Sequence, residues 1–503
     1  MCDWEKFATR MAEHSDLSSA VAILSWDQET YMPPKGMAAR AEQLATLQGI
    51  VHERLIDPEL GDLMERLGSS SDISVTEQAQ LREFTYDRNR AIKVPIALVK
   101  EIARSQSVAL STWHEARKNR DFRRFAPSLQ RLIELRREMA DAYGAPEGGE
   151  RYDALLEGHE KGMRVAQLVP LFATLRDWLV PAVQKLTDVP APAVDFLEQP
   201  FDTERQWQFT LELLDAIGFD KGAGRQDRSV HPFTTSFDPK DVRITTHIFE
   251  QMPLSSVFST IHEAGHALYE QGLPVAYRRT SLCGAASMGL HESQSRLWEN
   301  MVGRSRPFWE AFFPRYQQLF SGQLANVSLS DFYAAVNRIA RSPIRVEADE
   351  VTYNLHIFVR FELELMLLRD ELSVAELPAA WNERYRNYLG IEPVDDVEGV
   401  LQDIHWAWGE FGYFPTYTIG NLYSASLFEA AQRELPDLFE TIRHGQFEPL
   451  RNWLRLQVHQ WGRMEKADTI VRRTTGQGLN VDTFIAYLAH KYEPLYGVRL
   501  HTG

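Results

Sequence analysis

Two histidines stand four positions apart at His262 and His266, with Glu263 directly after the first. The apolar residues around them predict a helix. On a helix both imidazoles project from one face, a turn apart, close enough to hold a single ion. Glu263 sits one position round the helix, where it can hydrogen-bond a water on that ion and take its proton. Metal-assisted hydrolysis needs this arrangement. In a chain with fifteen histidines the pattern arises by chance in roughly a few per cent of sequences, so other residues must carry the case. Gly265 is one of them: glycine inside a helix costs about 1 kcal/mol relative to alanine, which is understandable if another backbone passes close by.

A catalytic zinc takes three protein ligands and keeps one position open. His291 and Glu292, on a second predicted helix, offer the third. Adjacent helix positions face about 100° apart, so only one of the pair reaches the ion. Three-histidine and two-histidine-one-carboxylate sites both occur, and the spacing leaves the choice open.

The elements that must position these groups are mostly helices. Leu44, Leu47, Val51 and Leu55 recur at helical spacing, and Leu98 to Tyr143 repeats such patterns with Arg and Lys on the outer faces. The stretch from Trp26 to the paired Pro33 and Pro34 reads as a rigid turn, its acids structural or on a substrate rim. Residues 229–236 and 242–248 are rich in β-branched side chains and flank the turn composition Phe237 to Asp241, predicting a β-hairpin just ahead of the metal-binding helix. An exposed strand there can pair with an extended peptide, or the hairpin simply packs on helices. His231 and His247 read as hydrogen-bonded structural histidines.

Ser342 and Pro343 have the form of a helix cap and first residue, placing Arg345 in an opening turn, where the helix dipole disfavours a cation. Pairing with Asp349 one turn on is the plain account of it. The following stretch, Val351 to Leu367, is too apolar for a surface helix, so the polar residues before it are predicted to line a cleft. There a guanidinium grips a carboxylate with two parallel hydrogen bonds. Gly399 to Trp408 reads as a helix ending near Gly409, and Gly412 to Gly420 as an aromatic loop. A peptide carbonyl under attack develops an oxyanion that needs a donor, and His405, Tyr413 and Tyr417 are the candidates, although aromatic loops more often pack than catalyse.

Composition bounds the rest. The 503 residues are 44% hydrophobic and 25% charged, typical of a globular protein. A net charge of −16 argues against nucleic-acid or anionic-membrane surfaces. Cys2 and Cys283 are too few for a disulfide framework. Met1 to Leu24 lacks the apolar core of a signal peptide, and no apolar run reaches membrane-spanning length. A cytoplasmic enzyme is expected. With no repeat or Gly/Ser-rich hinge, residues 1–503 are read as a single domain in one or two lobes: a mainly α body with a deep substrate cleft and a small β-sheet or hairpin beside the metal-binding helix.

Five ordered motifs then resemble the Taq-type thermostable metallocarboxypeptidases. They are His262-Glu263-Ala264-Gly265-His266, His291-Glu292-Ser293-Gln294-Ser295-Arg296, Asp241-Val242-Arg243-Ile244-Thr245, Ile344-Arg345-Val346-Glu347-Ala348-Asp349 and Gly399-Val400-Leu401-Gln402-Asp403-Ile404-His405-Trp406. The Trp26-Asp27 and Met32-Pro33-Pro34 stretch matches as well. The resemblance implies Glu292 as third ligand and Arg345 as the residue holding the substrate's terminal carboxylate. It implies that Arg243 and the hairpin border the closed end of the groove. Similar gluzincin peptidases use a histidine and a tyrosine in this chain order, pointing to His405 and Tyr417 as oxyanion donors, with Tyr413 contacting substrate. The implied reaction is release of single C-terminal residues from peptides with a free terminal carboxylate, by a homodimer carrying one ion per chain. Zinc suits the ligand types, and cobalt accepts the same set. An endo-oligopeptidase, a dipeptidyl carboxypeptidase or a catalytically silent binding scaffold are the alternatives on the same core.

Overall fold

A computed structural model describes residues 2–500. The chain is mainly α, with one three-stranded sheet. It divides into two compact units, one built from the segments up to Ile92, Ala193–Val336 and Ser424–Gly478, the other from Lys93–Pro192, Asn337–Tyr423 and the residues from Leu479 on. No described helix is long and apolar enough to cross a membrane.

In the first unit the sheet has the order β1 (Gly224–Arg228), β3 (Asp241–Thr246), β2 (Thr234–Asp238). β2 and β3 form the expected antiparallel hairpin, with Pro239 and Lys240 at its turn. Its first strand is shorter than predicted: Ser229 to Phe233 are irregular, consistent with Pro232, which has no N–H to give a ladder. β1 pairs parallel with β3 and was not foreseen, because Gly-Arg-Gln-Asp-Arg has no apolar alternation. The Pro253–Gly272 helix packs on β3, whose Val242 and Ile244 are fully buried, and Thr246 meets Ser259 across that contact at 2.7 Å. Full burial of Ile261 and Leu268 stabilises the helix by roughly 1.5–3 kcal/mol each, which offsets the desolvation of the polar groups it carries.

The next helix, Met288–Arg296, begins at Ser287, whose hydroxyl accepts from Leu290 N, and widens into a π-helical stretch, Leu297–Gly303. At Gly265 the two helices meet: a Cβ there would stand 2.6 Å from Gln294 O and from Ser295 Cα. That is the close backbone approach its sequence position predicts. Trp26 to Thr30 are not a turn. They complete the Asp3–Thr30 helix, which stops only where the prolines remove N–H donors, and Asp27 pairs with Arg40 at 2.6 Å.

In the second unit the Tyr353–Leu368 helix is almost wholly buried, as its composition predicts. Two helix expectations fail nearby. No helix starts at Pro343: Arg345–Glu347 form one 3₁₀ turn, because the Ser342 hydroxyl closes a local turn with Ile344 N. Gly399 to Trp408 are successive turns. Leu401 O, which a helix would pair with His405 N, is taken instead by the Trp113 indole and the Arg117 guanidinium. The aromatic loop is also shorter than expected, since Pro415 opens a helix that includes Tyr417.

Gly265→Ala tests the crossing. Overpacking of about 1–3 kcal/mol should outweigh the helix-propensity gain of about 1 kcal/mol and lower the denaturation midpoint. A midpoint that is unchanged or raised contradicts the close approach.

Candidate metal centre and anion site

His262 and His266 project from one face of the Pro253–Gly272 helix, and Glu292 reaches them from Met288–Arg296. One ligand atom of each lies within 4.8 Å of the others. Glu292 Oε2 is 3.6 Å from His262 Nε2 and 3.4 Å from His266 Nε2. Ligands about 2.0–2.1 Å from a tetrahedral ion stand about 3.4 Å apart, so the three donors fit a common cation.

The imidazoles are aimed by what their other nitrogens do. His266 Nδ1 donates to the backbone carbonyl of His291 at 3.1 Å, and His262 Nδ1 donates to Glu299 Oε2 at 2.9 Å. Both Nε2 lone pairs are thereby left for a ligand role. Glu299 rides on the π-helical stretch and is braced by Arg304 at 3.1 Å and Arg296 at 3.4 Å; Arg296 also donates to Glu292 Oε1 at 2.7 Å. Sequence reading missed Glu299, although the Glu292, Arg296, Glu299 spacing of four and three residues was a signal that they share a helix face.

Protonation suits a cation. Burial pushes the Glu292 carboxyl up, yet Arg296 and the two imidazoles outweigh it and hold it well below the usual carboxylate range. Burial also raises Glu299, but the His262 bond and the two arginines bring it to about 2. His266 is lowered to about 3, mainly by burial and then by His291, so its imidazole is neutral. Burial lowers His262, but Glu292 and Glu299 more than reverse this, drawing in a proton that a bound cation would displace.

His291 is not in this group. Its ring stacks on His266 with centroids 4.3 Å apart, and its Nε2 lies 3.1 Å from Glu270 Oε1. Glu263 is buried beside the cluster. Its Oε2 accepts from the Thr234 hydroxyl of β2 at 2.6 Å, and burial raises its carboxyl above the normal range. Thr234 was not singled out from sequence. Arg243 is gripped by both oxygens of Asp241 at 2.9 Å and lies over Trp26 and Phe237, so its guanidinium is held in place. His247 Nδ1 is 2.8 Å from Ser229 O, a structural bond as expected, and His231 is exposed.

A second cluster belongs to the other unit. Arg345 is buried but does not pair with Asp349, whose carboxylate is occupied by the N–H groups of Ala340, Val351 and Thr352. Asp403 receives Arg345 instead, with Nε and Nη2 both 2.9 Å from Oδ1, while its Oδ2 accepts from Arg360 at 2.6 Å. Burial opposes the Asp403 charge, but the two arginines hold its carboxyl far below the normal range. His405, lowered to about 3 by burial and then by Arg345, is neutral. The Arg345–Asp403–Arg360 group therefore carries a net charge of +1. Arg345 Nη1 donates to Tyr353 at 3.2 Å, which leaves two guanidinium N–H groups without an acceptor among the described residues. His405 Nε2 is 3.2 Å from Tyr417 Oη, and Tyr413 packs against both rings.

A family model described as carboxypeptidase Taq (M32) metallopeptidase matches residues 6–492. The chain belongs to the carboxypeptidase Taq (M32) family. It is 46% identical to thermostable carboxypeptidase 1 of Thermus thermophilus, over 96% of this chain and 97% of that one. It is 38% identical to carboxypeptidase 1 of Bacillus subtilis, over 98% of each. Among solved structures, the M32 carboxypeptidase from Deinococcus radiodurans matches with a TM-score of 0.97 at 40% identity, covering 99% of this chain and 100% of that one. This M32 member is thus a metallocarboxypeptidase, a peptide hydrolase, and the family implies a divalent metal.

Removing the brace on His262 should loosen the metal. Glu299→Ala is expected to weaken divalent-cation affinity about 10–100-fold, measured by competition with a chromophoric chelator. Unchanged affinity would mean that Glu299 does not orient the imidazole.

Proposed function

We propose that the chain removes single residues from the C-terminus of peptides, using one divalent cation held by His262, His266 and Glu292. The convergence of those three donor atoms within 4.8 Å carries the proposal. Zinc suits two imidazoles and a carboxylate, and cobalt is the alternative occupant. When bound, the cation supplies a Lewis acid and acidifies water.

Glu263 is the general base. Its Oε2 is tied to Thr234, leaving Oε1 to take the proton of the attacking water and return it to the leaving amine. His405 and Tyr417 donate to the carbonyl oxygen as its charge develops; a neutral imidazole suits this role because it donates without holding the oxyanion as an ion pair. Arg345 binds the terminal carboxylate. Support comes from the +1 charge of its buried cluster and the two Arg345 N–H groups without an acceptor among the described residues, since a guanidinium with two N–H groups can hold a carboxylate. Tyr413 and Arg243 border the bound peptide, Arg243 as a rigid wall. We further propose a cytoplasmic location, in line with two free thiols, and a homodimer on the strength of the family resemblance alone.

Glu263→Gln should keep its metal and lose turnover by about 10²–10⁴-fold. Substantial activity in a metal-replete sample removes Glu263 from the role of base. For Arg345, the wild-type enzyme should cleave a peptide with a free terminus and spare its amidated form, with single residues as products by mass spectrometry. Arg345→Ala should lower kcat/KM on the free peptide by roughly 30-fold or more. Equal cleavage of the amidated peptide contradicts the assignment, and dipeptide or internal products would indicate a dipeptidyl or endopeptidase register.

A further inference from the structure

Within the buried Tyr353–Leu368 helix, Tyr353, His356, Arg360 and Glu364 recur at intervals of three, four and four residues, a polar stripe on one helical face. Each member is spent on holding another segment. Tyr353 accepts from Arg345, His356 Nδ1 is 3.0 Å from Tyr385 Oη, and Arg360 donates to Asp403. Glu364, at the far end, has no solvent exposure. Its Oε1 accepts from Trp406 Nε1 at 2.9 Å, and its Oε2 accepts from Tyr152 Oη at 2.8 Å and Gly412 N at 3.1 Å.

The donors around Glu364 matter because of where they sit. Trp406 follows His405 and Gly412 precedes Tyr413, in a stretch without a helical ladder to fix it. Gly412 has φ +84° and lies 2.9 Å, measured from a modest Cβ added there, from Leu156 N, so only glycine fits the turn. A buried carboxylate facing only neutral donors is expensive, and burial pushes its carboxyl up to about 7. A merely packed position would be filled more cheaply by an apolar side chain.

We propose that Glu364 is a positioning residue for the reaction: by clamping Trp406 and Gly412 at once, it fixes His405 where the carbonyl oxygen needs a donor and Tyr413 where it borders the peptide. This rests on the assignment of His405 above. The stripe as a whole sets the register of the motif segment, since its order along the helix, through Arg360 and Glu364, follows the order Asp403, Trp406, Gly412 along the chain.

The test is a double-mutant cycle on the metal-replete full-length enzyme with a free-terminus peptide. Glu364→Met should lower kcat about 10-fold or more with KM changed by less than about threefold, the signature of an interaction made only in the transition state. Glu364→Gln keeps one acceptor oxygen and turns its NH2 toward the other N–H donor, so it holds Trp406 or Gly412 but not both and should recover only part of that loss. In a His405→Ala background either Glu364 substitution should have little further effect, because both act through one group. If Glu364→Met does not fold, Trp406→Phe, which removes one of the clamped donors, is read in its place. Losses that multiply with those of His405→Ala, or a lowered melting temperature with kcat and KM unchanged, overturn the positioning role while leaving His405 catalytic. Full kcat in His405→Ala itself overturns the underlying assignment and the inference with it.

Discussion

Two Nε2 lone pairs and one carboxylate oxygen meet in a buried place, and much of the first unit serves to make that meeting tolerable. Left to themselves, a desolvated carboxylate would take up a proton and two adjacent imidazoles would turn away. Arg296 keeps Glu292 ionised, and the Nδ1 bonds to Glu299 and to the His291 carbonyl fix both rings. The helix crossing at Gly265 makes the distances short enough, and the π-helical widening after Arg296 carries the brace Glu299. A protonated or rotated member at any of these points would open the cluster.

The second unit solves a related problem with the opposite sign. Arg345 and Arg360 are both buried and share one aspartate, so the group is left one positive charge in excess. Such an excess is costly in a low-dielectric interior unless an anion arrives. A substrate carboxylate is an anion of the right shape for the two N–H groups that remain. The neutral state of His405 fits the same logic, since a third cation beside the arginines would be disfavoured.

Much of this was legible in the residues themselves. His262 and His266 share a helix face as their spacing implied, Gly265 meets the close neighbour it implied, and the apolar run after Val351 forms a buried helix. The choice between His291 and Glu292 was not legible from spacing: it depends on the direction in which the second helix leaves the first, which is a tertiary property. Arg345 was matched with Asp349 because helical spacing put them one turn apart, but Asp349 was already committed to backbone N–H groups and the true partner lay far along the chain at Asp403. The missing helix after Gly399 has the same origin, since Trp113 and Arg117 of a distant helix take the Leu401 carbonyl that a ladder would use. β1 carried no apolar alternation, and its strand is formed only because β3 offers an open edge.

The most direct test is metal stoichiometry followed through removal and return. The enzyme is stripped with chelator, dialysed, and titrated with zinc or cobalt while bound metal is counted by mass spectrometry and peptide hydrolysis is recorded. The account predicts that activity vanishes on stripping and returns in proportion to metal, reaching its plateau at about one ion per chain, and that Glu292→Gln neither retains the ion nor recovers. Full hydrolysis by the stripped protein, or stoichiometric tight metal binding by Glu292→Gln, would contradict it.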